Sequence, residues 1–172
     1  HIGHARTFII FDILIKILKK QGLIVSFIRN ITDIDDKIIV KAKNKKTTIN
    51  KITKKYTIEM QHTFKKMNLL NPTIEPKATN YIKTMIYIIN KLLLMNFAYK
   101  NMQNDIYYKI EKNKNYGKFK KYNIEKSNNV RKILKKEKYK NTDFVLWKYE
   151  NNKKISWKSN FGQGRPGWHL EC

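Results

Sequence analysis

Cysteine is almost absent from this chain: the sole thiol is Cys172, the last of 172 residues. A disulfide framework within the chain is therefore excluded, and a reducing, cytoplasmic setting is the expectation. Acidic residues are scarce as well, with 13 Asp and Glu against 37 Lys and Arg and a net charge of +24. Long apolar runs are missing. Residues 81–97 come nearest, and Lys83 and Lys91 interrupt them, which makes a core helix and not a membrane span. Arginine is limited to Arg6, Arg29, Arg131 and Arg165. A charge this basic attracts polyanions through counterion release. It also arises when lysine fills every position that tolerates a solvated cation. The even spread of lysine and the shortage of arginine, the bidentate phosphate reader, favour that second account, and the two are compatible.

What is present suits a folded domain. Hydrophobic residues make up 41% and aromatics 12%, too apolar for a disordered chain and enough for one domain with a core. The chain opens at His1 inside a motif and stops at Cys172 without a turn or helix-ending signal, so both ends read as cuts in a longer protein.

Periodicity predicts a helix over residues 5–20, apolar nearly all round and so well buried, ended by Lys19, Lys20 and Gly22. Residues 23–28 read as a buried strand. With a strand before His1, the order would make one βαβ unit of a parallel sheet. Asp35 and Asp36 open a second helix, with acids at its positive end. Further helices are expected over residues 49–67 and 80–95, and a strand over 105–110. Residues 113–140 are rich in Lys and Asn with weak periodicity. We read 1–97 as one domain half, 98–142 as an inserted subdomain and 143–172 as the start of the second half.

Three segments can carry chemistry. His1-Ile2-Gly3-His4 stands immediately before the first helix. A helix start offers free amide donors and a positive dipole end, both suited to phosphate. Gly3 would let a nucleotide approach the backbone, and two imidazoles at i and i+3 could donate to charge developing on a phosphate. Locally, a surface loop with two solvated histidines accounts for these four residues equally well. The second segment, residues 29–36, follows the predicted strand, at the edge where open α/β sheets bind ligands. Thr32 could offer a hydroxyl there. The acids Asp33, Asp35 and Asp36 lack the glycine and terminal glutamate of a calcium loop, and capping is the better role for Asp35 and Asp36. The third segment, residues 162–172, formally contains G-x-G-x-x-G. It does not follow the first strand of a βαβ unit, and Pro166 removes an amide donor from any phosphate cradle. It reads better as a Gly-rich loop delivering Trp168 into a pocket. Cys172 alone reads better as a buried small hydrophobe than as a zinc ligand, for no CxxC spacing accompanies it.

Taken together, HIGHARTFIIFDIL, IRNITDIDDKII, DFVLWK and GRPGWHLEC resemble, in order, the cysteinyl-tRNA synthetases. The resemblance runs across nearly the whole chain, with 98–142 matching poorly where that family carries a connective peptide. It implies an α/β, Rossmann-type parallel-sheet nucleotide-binding domain of class I synthetase type, incomplete in this chain. It implies cysteine activation with ATP and Mg2+ and transfer to tRNA(Cys), by a monomeric cytoplasmic enzyme with no membrane association. By position, His1, Gly3 and His4 would contact ATP phosphates, with His1 and His4 catalytic. Thr32 and Trp168 would line the cysteine pocket, and Cys172 would be one ligand of a zinc ion. A zinc–thiolate bond to substrate would distinguish cysteine from serine. The family supplies its other zinc ligands, a KMSKS loop and an anticodon-binding region outside the segments matched here, so the polypeptide alone is expected to be inactive. Two alternatives stay open: a sister ligase joining cysteine to an amino sugar through the same adenylate, and a basic RNA-binding remnant without catalysis.

Overall fold

The computed structural model describes residues 2–118 and 143–171. Five helices and four strands fall into two compact units, residues 1–80 and 81–172, a division placed before the boundary at 97 that the sequence suggested.

The first unit holds α1 (Ile2–Lys20), α2 (Asp36–Asn44) and α3 (Ile49–Lys66). Each helix begins or ends for a local reason. The Asp35 carboxylate caps α2 by accepting from the Lys37 amide at 2.8 Å, as the sequence suggested. Thr48 caps α3 by accepting from the Lys51 amide at 3.3 Å. At the C-termini the chain turns left-handed at Gly22, Lys46 and Asn68. The following amides of Leu23, Thr47 and Leu69 then reach back to the carbonyls of Leu18, Ala42 and Phe64.

Two expectations fail here. Helix α1 is not well buried. Only Asp12 and Ile15 are enclosed, while Ile10, Phe11, Ile13 and Ile17 are each at least half exposed. Its apolar surface exceeds what the three-helix unit can cover. Residues 23–28 do not form a buried strand either, since Leu23 and Ile24 are exposed and make no ladder. Parallel pairing is confined to residues 27–31 against 73–78. There the Thr73 amide donates to the Phe27 carbonyl (2.7 Å), Arg29 to Ile74 (3.1 Å), Ile31 to Pro76 (2.8 Å) and Ala78 to Ile31 (3.1 Å). Helices α2 and α3 lie in the crossover between these two segments, as parallel neighbours require.

The second unit packs α4 (Ile82–Leu94) with a four-stranded sheet, β1 (Ala98–Lys100), β2 (Ile106–Tyr108), β3 (Phe144–Tyr149) and β4 (Gly164–Pro166), in that spatial order. Every pairing is antiparallel, so the parallel sheet expected from the sequence is not what the described residues build. The turn between β1 and β2 explains the hand. The Asn101 side chain accepts from the Gln103 and Asp105 amides, and Asn104 takes the left-handed conformation, so five residues reverse the chain. Strands β1 and β2 thus belong to the same sheet as β3 and β4. Of the expected insert, 119–142 lies outside the described residues. The core closes around Trp147, Ile106 and Ile89, the three largest fully buried side chains, with Phe161 edge-on to Trp147 at 5.5 Å.

Candidate functional site

Two loci hold the residues that the sequence singled out, one in each unit. In the first unit, Gly3 and His4 lie within the opening turn of α1, not in a loop before it. Both are exposed, and the Thr7 hydroxyl donates to the Gly3 carbonyl at 3.2 Å. The turn therefore places an imidazole and a residue with no side chain at the positive end of the helix dipole. His1 lies outside the described residues.

Further along α1 sits a group that sequence reasoning missed. Asp12 is buried, pairs with Lys16 Nζ of the same helix at 2.6 Å and accepts from the Leu70 amide at 2.7 Å. Burial alone would raise its carboxyl pKa. The hydrogen bonds from Lys16 and Leu70 outweigh burial and hold it below the ordinary value of 3.8. Asp12 thus ties the HIGH helix to the chain that follows α3. A groove of about 660 Å3 runs beside it, lined by Thr7, Phe8, Phe11, Arg29 and Leu70 among others.

The loop after α1 is held just as firmly. Arg29 is buried, and its Nε and Nη2 donate to one oxygen of Glu75 at 2.7 and 2.6 Å. The other Glu75 oxygen accepts from Gln61 Nε2 at 2.7 Å. The guanidinium also lies 4.4 Å over the Phe64 ring, whose edge meets Phe8 of α1 at 4.6 Å. Buried Asp33 accepts from the Thr79 amide and hydroxyl at 2.9 and 2.6 Å. Its role is to pin the loop to residues 78–80, which the acidic pattern alone did not reveal. Nothing local in the sequence marks Glu75 as the partner of Arg29. Thr32, between these anchors, lines a concavity of about 330 Å3 whose other walls come from α2 and α3, including Lys37, Lys41, Ile52 and Tyr56.

In the second unit, the Gly-rich run serves packing. A Cβ at Gly164 would stand 2.2 Å from the Lys148 carbonyl oxygen and 2.3 Å from Trp147 Nε1. At Gly167 it would meet the Val145 carbonyl oxygen at 2.2 Å. These glycines let β4 and the turn after it press against β3, a role quite different from cradling a phosphate. The run delivers Trp168 onto a short helix, α5 (Trp168–Glu171), where it is 57% exposed. His169 packs between aromatic neighbours, with ring centroids 5.0 Å from Trp168 and 5.1 Å from Phe144. Asp143, at the head of DFVLWK, is buried and accepts from the Ile110 amide and the Tyr99 hydroxyl, both at 3.1 Å. Cys172 lies outside the described residues. Among the described residues no group of three His, Cys, Asp or Glu side chains could hold a metal ion. They do not furnish a zinc ligand set, and no chemical step through zinc is derived. Among them also, no helix is long and apolar enough to cross a membrane.

Comparison with known proteins gives one consistent answer. The family described as tRNA synthetases class I (C) catalytic domain matches residues 1–172. Proteins named cysteine–tRNA ligase align over the full chain. That of Francisella philomiragia is 43% identical, and those of Hamiltonella defensa and Pasteurella multocida are each 40% identical. The alignment covers 100% of this chain and 38% of each relative, so the chain spans well under half the length of the curated relatives that it matches.

Proposed function

We propose that this chain, which belongs to the class I tRNA synthetase (C) catalytic-domain family, is part of a cysteine–tRNA ligase that forms cysteinyl-adenylate from L-cysteine and ATP and passes cysteine to tRNA(Cys). The observation that carries the reading is the opening turn of α1. Gly3 and His4 lie in the first turn, at the positive dipole end of a 19-residue helix, a place that favours a polyphosphate. When cysteine attacks the α-phosphorus, negative charge grows on the phosphate oxygens. Donors already in place, His4 and on the same reading His1, lower that barrier without reorganising. Asp12 and the Arg29–Glu75 pair keep the helix and the following loop rigid, which is what positioning chemistry needs.

On this reading Thr32 and Trp168 line the cysteine pocket. Support comes from the rigid loop that carries Thr32 and from the exposed ring of Trp168. Cys172 takes one position on a zinc ion, supported by the preference of zinc for thiolate, with its other ligands outside the described residues. Mg2+ accompanies ATP. The parallel pairing of 27–31 with 73–78, connected through helices, supports a Rossmann-type parallel sheet completed by further chain. Within it, 98–142 would be the connective peptide between 1–97 and 143–172. The enzyme would work as a monomer in the cytoplasm.

The test is cysteine-dependent exchange of pyrophosphate into ATP by the full-length protein. His4→Ala should lower the exchange rate by about 10²–10³-fold, with zinc content unchanged. Cys172→Ala should lower the zinc content. Exchange that proceeds equally with serine, or cysteine delivered to an amino sugar in place of tRNA, would refute the assignment.

A further inference from the structure

The first unit does not spread its lysines evenly. Ten of its sixteen Lys and Arg lie between residues 36 and 66, against two acids, Asp36 and Glu59. The other 49 residues of the unit carry six cations and four acids. Residues 36–66 are the α2–α3 hairpin, where Lys43, Lys45 and Lys54 are exposed. Of its acids, Glu59 meets Lys55 at 3.7 Å and Asp36 sits in the first turn of α2. Beside the helices lies the concavity of about 330 Å3, lined by Thr32, Ile38, Lys41, Ile52, Tyr56 and Met60 among others. Lys41 Nζ stands 4.2 Å over the Tyr56 ring, which is 38% exposed.

We propose that the α2–α3 hairpin is a binding surface for single-stranded RNA, in which the lysines hold consecutive phosphates and one unpaired base stacks on the exposed Tyr56 ring. Two features meet there that a single-stranded nucleic acid uses together. Clustered cations release counterions from the backbone. An aromatic ring with a bound cation offers a stacking platform. The Lys41 hydrogen bond, and then the charges of Lys41, Lys45 and Lys55, lower the Tyr56 hydroxyl pKa, as a cluster of cations around the ring would. A lysine-rich composition alone would leave the rest of the unit equally basic, and it is not. The choice of RNA over DNA rests on the function proposed above.

The probe is a fluorescent twelve-nucleotide oligouridylate, titrated into the intact chain over a range of salt concentrations. The variant Lys43→Gln/Lys45→Gln/Lys54→Gln should weaken binding by about tenfold or more. It should also flatten the slope of log affinity against log salt by about 2. Lys19→Gln/Lys20→Gln/Lys77→Gln, equally exposed and in the same unit, should change both far less. Tyr56→Leu should weaken oligouridylate about 5- to 100-fold and leave binding of inorganic polyphosphate, which has no base, unchanged. Equal losses from the two lysine triples, or no loss from Tyr56→Leu, overturn the proposal. Equal affinity for the deoxyuridine strand overturns RNA as the partner. In the full-length protein the hairpin triple should leave cysteine-dependent pyrophosphate exchange unchanged, because that exchange needs no RNA, so failure of this surface and failure of the ligase assignment are distinguishable.

Discussion

The two units solve the burial problem differently. The second encloses Ile89 and Ile106 completely and leaves Trp147 only 1% exposed. The first has no side chain of that size so deeply enclosed; its best-buried large residues are Ile34, Ile15, Ile52 and Phe64 at 6–8%. Its longest helix shows Ile10, Phe11, Ile13 and Ile17 to solvent. An antiparallel pair can close through a short turn, as β1 and β2 do. A parallel arrangement needs distant chain on both faces. The first unit is therefore held by polar ties, Asp12 to Leu70, Arg29 to Glu75 and Asp33 to Thr79, where the second is held by packed rings.

If that contrast is real, truncation should separate the units. Trp147→Ala in the second removes the centre of the core and should destabilise the chain by about 3–5 kcal/mol, read as a urea midpoint. Phe11→Ala on α1, 56% exposed, should cost less than about 1 kcal/mol. Comparable losses from the two would break the comparison. Gly164→Ala sharpens it, because one methyl must displace either the Lys148 carbonyl or the Trp147 indole. Overpacking of that kind costs about 1–3 kcal/mol. A near-ultraviolet circular dichroism spectrum should show the change in the tryptophan environment. An unperturbed spectrum would mean that β4 moves freely relative to β3.

How much was legible follows the same division. Local signals were read correctly: Gly22 after α1, the Asp35 cap of α2, and the amphipathic spans of α3 and α4. Asn68 and Asn96 end their helices left-handed in the same manner as Gly22, and asparagine is a signal that could have been read. Lys46 does so too, and no propensity marks it. The non-local facts were hidden. Apolar residues at 23–28 imply a strand only if chain lies on both sides, and periodicity says nothing about supply. Nothing local marks Asp12, because its partner amide is 58 residues away. Gly3, His4, Thr32 and Trp168 were singled out by pattern as candidates. The pocket around Tyr56 was not, because its walls come from two helices that carry no motif.

Polar ties make their own prediction. Glu75→Gln leaves the Arg29 guanidinium buried without a matching charge. The pair is partly exposed on the Glu75 side, at 17%, which moderates the 3–5 kcal/mol typical of a broken buried pair to about 2 kcal/mol. The loss should appear in the first unit, as faster amide exchange at Arg29 and Ile31, whose amides pair with residues 74 and 76. Exchange that quickens equally in β3 would mean that the two units unfold as one.

Acid should act on the first unit through Asp12, by a smaller amount. Its carboxyl is held below 3.8 when folded, so the folded state binds that proton less readily than the unfolded chain does. The stabilisation is therefore complete above the ordinary carboxylate range and is lost as pH falls from about that value through the lowered one. Asp12→Asn keeps the shape and an oxygen for the Leu70 amide but gives up the charge paired with Lys16. At pH 6 the variant should be the less stable of the two by urea titration. As pH falls below 4 the difference should shrink, because the native carboxylate is being neutralised while the amide has nothing to titrate. A gap that stays constant from pH 6 to pH 3 would show that Asp12 draws nothing from its ionisation, and the polar tie at the base of α1 would then be a matter of hydrogen bonding alone.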